Sequence, residues 1–410
     1  MDVTFEYLLA SIVIFLMIGT SVYMVTTITT TQLDLVTEQQ LTPVAQQLMD
    51  KILLTSGSPS DWGYNIADSS ANLTDFGIAS STPNVPLYEV DPAKMQKLVN
   101  NSATVINNLY ISPTTAGTLL GIKTSTKWLY GFKLYIVPSL SIVLNATSFS
   151  VTGSPTFPAS FRFNISTADG VPAMSAAVEL KLFEFVTTPS TGTPSNFTFY
   201  TSVASSISNY TGAANFTLTA PPYSPSSNQN ATYLVAVQAD YYGLLSTAFF
   251  QFPSPPGSYN AIIDGQFLLC SLLQPVSLPN ATQGAGYNPV VIEITDNLNV
   301  VLNPATDVTS SGTYGYLLYT TPYTLKLYSM ANAVSPDVIW GGLLAYPQSG
   351  TTFLLNATRP GLPVSVNYYT QPFASNLASA KLLTSVTVER YVHVDLSSYT
   401  VYLTVWSMGT

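Results

Sequence analysis

Hydrophobic and polar positions follow three rhythms along this chain, and each predicts a different kind of element. Residues 7–25 form a 19-residue run with nothing more polar than Ser11, Thr20, Ser21 and tyrosine hydroxyls, and no charge follows until Asp34. A helix rising about 1.5 Å per residue crosses roughly 30 Å of hydrocarbon with such a run. The chain opens Met1-Asp2-Val3-Thr4-Phe5-Glu6 without Lys or Arg, so a retained helix is expected rather than a cleaved secretory signal. Next, Leu33, Val36, Leu41, Val44, Ala45, Leu48, Met49, Ile52 and Leu53 recur mostly at three- and four-residue spacing, with Gln, Glu and Asp between them. That is the rhythm of an amphipathic helix. Pro43 predicts a kink or a fresh start with Thr42 as N-cap, and Ser56-Gly57-Ser58-Pro59 ends the element.

The third rhythm is alternation. Residues 61–137 are mixed: Asp91-Pro92 and Ser112-Pro113 are helix starts, and 132–137 reads as a strand. From about 138 to 252, short runs at 160–165, 177–185, 214–219 and 233–239 are separated by Gly, Pro, Ser and Asn, which predicts a β-sandwich. Phe252-Pro253-Ser254-Pro255-Pro256-Gly257 reads as a linker. A second β series follows at 290–294, 314–327, 338–344, 352–355, 364–369, 380–394 and 399–405. The expected class is therefore α+β: a long N-terminal helix, transmembrane then amphipathic, followed by mainly antiparallel β-sandwich domains.

Composition narrows the function. Only 8% of the 410 residues are charged, against a usual share of about 25%. No Lys or Arg occurs between Lys181 and Lys326, so the clustered cations of a nucleic-acid binder are missing. Cys270 has no partner for a disulfide and sits in the apolar run Phe267-Leu268-Leu269-Cys270-Ser271-Leu272-Leu273, which places it in a core. His393 stands alone in an alternating run and makes no zinc site. Glu89 with Asp91, and Glu293 with Asp296, lack the Asp/Asn loop that calcium requires. No phosphate-binding glycine loop or nucleophile elbow occurs, so no catalytic residue, metal or cofactor is assigned and an enzyme is not expected.

Asn-x-Ser/Thr sequons occur at Asn72, Asn100, Asn145, Asn164, Asn196, Asn209, Asn215, Asn230, Asn280 and Asn356. They predict an exported portion carrying N-linked glycans. A surface of Ser, Thr, Asn and Tyr ionises little, so its stability is expected to tolerate acid.

Several segments resemble archaeal type IV pilin-like proteins, over about the first 140 and last 30 residues. Glu6 stands just before the apolar run, and Leu53-Leu54-Thr55-Ser56-Gly57-Ser58-Pro59-Ser60-Asp61-Trp62-Gly63 is similar to the family's helix-ending segment. Residues 94–98, Leu119-Leu120-Gly121-Ile122 and Tyr130-Gly131-Phe132-Lys133-Leu134 are similar to its helix and first strand, and Val388-Glu389-Arg390-Tyr391 with 399–406 to its closing hairpin. Asp169-Gly170-Val171-Pro172 followed by 177–180, and 233–243, resemble immunoglobulin-like surface domains.

The resemblance implies a helix over 1–58, a pilin-like head from 59–137 and 253–410, and an inserted immunoglobulin-like sandwich at 138–252. It implies a structural subunit of an extracellular filament, a homo-oligomer joined through the N-terminal helix at Glu6, Leu8, Ile12, Phe15, Leu48 and Ile52, and held in the membrane before assembly. Precursors in that family carry a basic leader. This sequence opens without one, so it either starts near the mature end or belongs to a non-polymerising anchored relative. The alternative is a monomeric anchored surface protein, associated with a surface layer or binding carbohydrate in adhesion.

Overall fold

In the computed structural model the described residues are 2–64, 72–83, 85–100, 109–150, 157–190, 193–219, 221–226, 229–254, 259–272, 290–308, 324–335, 337–345, 353–358, 364–367 and 385–407. Helix α1 (Asp2–Leu54) runs through Pro43. The proline ring is exposed, where water can satisfy the carbonyl it leaves unpaired; of the two expectations, a kink or a fresh start at Thr42, the fresh start is not seen. Leu41, Ala45, Leu48, Met49, Ile52 and Leu53 form one buried stripe. That stripe lies on an antiparallel sheet made of β1 (Tyr130–Pro138), β16 (Val364–Asn367), β17 (Ser385–Val394) and β18 (Ser397–Ser407), in the order β16-β1-β18-β17. Strict alternation supplies the other half of the core: Phe132, Leu134 and Ile136 from β1, Val388, Val392 and Val394 from β17, Val401, Leu403 and Val405 from β18. Each such side chain contributes about 1.5–3 kcal/mol when fully buried.

Between β1 and β16 the chain builds two further β units. The first is a sandwich of three strands against four. One sheet holds β2 (Leu140–Ser150), β3 (Phe157–Thr167) and β6 (Ala213–Thr217); the other runs β5-β4-β7-β8, from β4 (Ala177–Ser190), β5 (Thr193–Ile207), β7 (Asn230–Tyr241) and β8 (Leu244–Phe252). Phe161, Phe163, Leu180, Leu182, Val235 and Val237 fill the space between them. The second unit is a seven-stranded sheet of β9 (Tyr259–Asp264), β10 (Phe267–Leu272), β11 (Val290–Thr295), β12 (Val300–Asp307), β13 (Thr324–Met330), β14 (Val338–Ala345) and β15 (Phe353–Thr358). Residues 253–410, expected to form one part of the head, are thus shared between this sheet and the helix-backed one.

The expected class is corrected. Among the described residues the protein is mostly β, with 18 strands against three helices, and not α+β. Among the described residues no helix is long and apolar enough to cross a membrane. Most of the apolar core is instead sandwiched between paired strands.

Three joints fix the units to one another. Phe183, Phe185, Leu234 and Ala236 on the outer face of the sandwich pack on Ile292, Ile294, Trp340 and Leu354. Beside them the Lys181 ammonium donates to Leu298 O at 2.6 Å. Where the sandwich meets the helix-backed sheet, Ser139 N donates to Ser398 O at 2.9 Å and Leu245 N to Ser398 Oγ at 3.3 Å. The third joint is built on α2 (Pro92–Gln96), capped by Asp91 Oδ1, which accepts from Ala93 N at 2.8 Å and Lys94 N at 3.3 Å. Gln96 Oε1 accepts from Ile263 N at 3.1 Å, and Lys97 Nζ lies 3.5 Å from Asp264 Oδ2 while donating to Trp62 O at 2.7 Å. The same α2 turn directs Lys94 Nζ at Ser56 O and Ala79 O, both at 2.8 Å, across the end of α1.

Lys97 and Asp264 are both buried, so removing one charge strands the other. Lys97→Met is expected to cost about 3–5 kcal/mol in urea unfolding. Adding Asp264→Asn should recover a large part of that loss, and a simple sum of the two single losses would show that the pair is not coupled.

Candidate functional site

The residues that the fold leaves most conspicuously uncovered lie on α1, ahead of the buried stripe. Val13, Ile14, Phe15, Leu16, Met17, Ile18, Val22, Tyr23 and Met24 are between 46% and 76% exposed. They occupy successive positions over three turns, so apolar surface surrounds the helix instead of forming one face. The exposed Thr20 pairs its hydroxyl within the helix, donating to Leu16 O at 2.9 Å and Met17 O at 3.0 Å. Covering nine such side chains is worth on the order of 10 kcal/mol before association costs.

The structure divides the assembly residues inferred from sequence. Phe15 lies on this apolar sheath of α1. The side chains of Glu6, Leu8 and Ile12 lie outside the described residues. Leu48 and Ile52 belong to the buried stripe under β17 and β18, so they hold the helix to its own head and offer nothing to a neighbour. Spacing alone could not separate the two roles, because a stripe that meets a sheet of the same chain has the period of one that meets another helix.

The sequons differ in the same way. Asn72, Asn100, Asn145, Asn209 and Asn215 are exposed, whereas Asn164, Asn230 and Asn356 are half-buried. Asn164 sits on β3 between two paired strands, and Asn356 Oδ1 accepts from the Tyr259 hydroxyl. Asn209 Oδ1 accepts from Thr211 Oγ1 at 2.7 Å, Thr211 N at 2.9 Å and Ala213 N at 3.0 Å, which fixes an exposed turn. The Asn196 side chain and Asn280 lie outside the described residues.

The remaining titratable groups have structural work. Cys270 is buried in β10, and burial pushes its thiol up to about 12. His393 is exposed on β17, where its backbone bridges to Tyr88 and Val90. Glu89 Oε1 accepts from Asp395 N at 2.7 Å, Asp91 caps α2, Glu293 Oε1 accepts from Asn303 Nδ2 at 2.8 Å, and Asp296 Oδ1 accepts from Asn297 Nδ2 at 3.0 Å. Among the described residues no three His, Cys, Asp or Glu side chains gather as metal ligands. A second feature is an open groove of about 570 Å³ on the sandwich, lined by Glu179, Ser205, Ser206, Ile207, Gln238 and Asp240.

Besides Asp264, the buried carboxyl Glu184 was not singled out in the sequence. Glu184 sits in the alternating run of β4 directly opposite Tyr233, and its Oε2 accepts from Tyr223 N at 3.0 Å. Desolvation raises its pKa to about 7, with the Tyr223 hydrogen bond opposing; Glu89 and Asp296 are also raised, mainly by desolvation. A raised carboxyl pKa means that the folded state holds the proton more tightly than the unfolded one. Stability should therefore rise as pH falls from about 7 toward 4.5 and stay level below. Desolvation lowers Lys94 to about 8, so its effect is confined to alkaline pH: stability falls from 10.5 down to 8 and is flat below.

Unfolding free energy is expected to be about 3 kcal/mol greater at pH 4.5 than at pH 8, and Glu184→Gln should remove most of that gain. Stability that declines steadily on acidification would contradict this. No family model and no curated protein matches the chain.

Proposed function

We propose that the chain is a structural subunit of an extracellular filament of the archaeal type IV pilus-like kind. Copies assemble through the apolar sheath of α1, with the β units displayed outward and the exposed sequons available for N-linked glycans. The observation that carries this reading is the double character of one helix. Residues 41–53 bury a single stripe in their own head, while 13–24 present apolar side chains all round. A helix bundle of identical chains supplies matching neighbours on every side.

Two further features support the reading. The head is a helix laid on an antiparallel sheet closed by a terminal hairpin, β17–β18. The sandwich, with seven antiparallel strands arranged three against four, fits an immunoglobulin-like insertion between β1 and β16.

The groove on the sandwich favours a second reading, a surface adhesion protein that binds carbohydrate. Its lining combines two carboxylates, two hydroxyls and an amide with four aliphatic residues, a mixture that suits the polar and apolar faces of a sugar.

Phe15→Lys/Ile18→Lys separates these readings. In detergent-free buffer the wild-type chain is expected to sediment as large assemblies. The variant should remain monomeric, with a head that melts within about 2 °C of wild type, since these positions are exposed. A wild-type chain that stays monomeric, or a variant that assembles equally well, would remove the filament reading.

A further inference from the structure

The sandwich has four edge strands, and three are protected against pairing with another chain. Strand β2 breaks register at Leu144/Ala146 and again at Ser148/Phe149, and it presents the exposed Asn145. Strand β6 is only 5 residues long and presents the exposed Asn215. Strand β8 lies against the helix-backed sheet, through Leu245 N and Ser398 Oγ at 3.3 Å. Bulges, shortness and coverage are the usual devices that keep sheet edges from joining.

Strand β5 has a register break only beyond Phe197, between its pairings with Thr187 and Pro189, and Tyr200 stacks on Tyr223 at 4.6 Å; from Thr201 to Ile207 it has no bulge. It is 15 residues long and carries no charge anywhere. Its register with β4 is unbroken from Phe197 to Ile207. Among the described residues no strand pairs with its other edge. Its outward face bears Phe199, Val203 and Ile207, at 37%, 57% and 70% exposed, with Thr201 and Ser205 between them.

We propose that β5 is a self-pairing edge, by which two copies of this chain join their sandwiches in one continuous antiparallel sheet centred on Val203. The pattern on the strand is its own complement under a two-fold axis. With Val203 opposite its copy, Phe199 meets Ile207 and Thr201 meets Ser205, so apolar lies on apolar and hydroxyl on hydroxyl. On the other face Tyr200 meets Ser206 and Ser202 meets Ala204, with a small residue in each pair. A slip of one residue in the pairing sum breaks this correspondence on the outward face.

Charge selects the same partner. Antiparallel self-pairing places each residue across from a residue of the same strand, so a charge near the axis opposes its own copy. The chain carries a net charge of −9, yet none of it lies on this strand. The nearest charged or titratable groups, Glu179, Lys181 and the buried Glu184, are one strand inward, opposite Ser205, Val203 and Tyr200. Their copies would stand three strand spacings away, about 14 Å, beyond a Debye length of roughly 8–10 Å. An isologous contact of this kind links copies in pairs and does not depend on α1, so it holds whether or not the sheath assembles filaments.

Cysteine pairing in the full chain, held in mild detergent so that α1 is covered, tests both the edge and its register. Cys270 is buried and stays out of the reaction. Val203→Cys should form a disulfide-linked dimer under gentle oxidation. Thr201→Cys mixed with Ser205→Cys should cross-link several-fold faster than either variant alone. Val171→Cys, in an exposed loop, reports random collision. If Val203→Cys links no faster than Val171→Cys, or if Thr201→Cys links to itself faster than to Ser205→Cys, the proposal is overturned.

Discussion

Burial of one stripe of α1 against strands from distant parts of the chain is the constraint on which the architecture depends. The sheet that covers Leu41, Ala45, Leu48, Met49, Ile52 and Leu53 takes β1 from residues 130–138 and β16–β18 from 364–407. The chain must leave this sheet at Pro138 and return to it, and both remaining β units are made in the excursion. Each has its own core, so neither depends on α1 for burial, but their placement does. Ser139, the first residue beyond β1, donates to Ser398 O, and Leu245 at the start of β8 reaches the Ser398 hydroxyl. The helix-backed sheet is thus the foundation to which the sandwich is tied.

Sparse charge acquires a meaning in this arrangement. Of the chain's 12 basic residues, Lys94, Lys97 and Lys181 are committed to joints, where their ammonium groups donate to main-chain carbonyls of other segments. A long flexible stem ending in three donors can satisfy several carbonyls where the chain turns and no strand can pair with them. Desolvation favours the proton on the buried Glu184 carboxyl and also raises Glu89 and Asp296. Acid therefore leaves the interior with fewer buried charges, in keeping with a surface that hardly ionises.

Much of the fold was legible where burial imposes a period. The spacing of residues 41–53 gave the buried stripe, and alternation in 399–405 gave β18. Asp91-Pro92 and Ser112-Pro113 start α2 and α3 (Pro113–Leu119), with Asp91 Oδ1 and Ser112 Oγ each bonding main-chain N–H groups as a capping residue does. Strands β2 and β5 were not legible, because edge strands rich in Ser and Thr expose one side and need no apolar alternation. The division of 253–410 between two sheets was hidden for another reason. Two antiparallel sheets use the same periodicity, and only pairing partners distinguish them. The sheath at 13–24 was visible as an apolar run, but whether such a run crosses lipid or meets copies of itself is not written in its hydropathy. Leu48 and Ile52 were assigned to assembly because a stripe does not name its partner.

The central claim is that one helix is shared between two burials, its later turns by its own β sheet and its earlier turns by other copies. Cryo-EM of filaments sheared from cells producing this chain tests it most directly. The account predicts a core of bundled α1 helices in which residues 13–24 of each copy touch those of several neighbours, with the three β units outside. Particles in which each chain stands alone, or filaments whose core excludes residues 13–24, would contradict it.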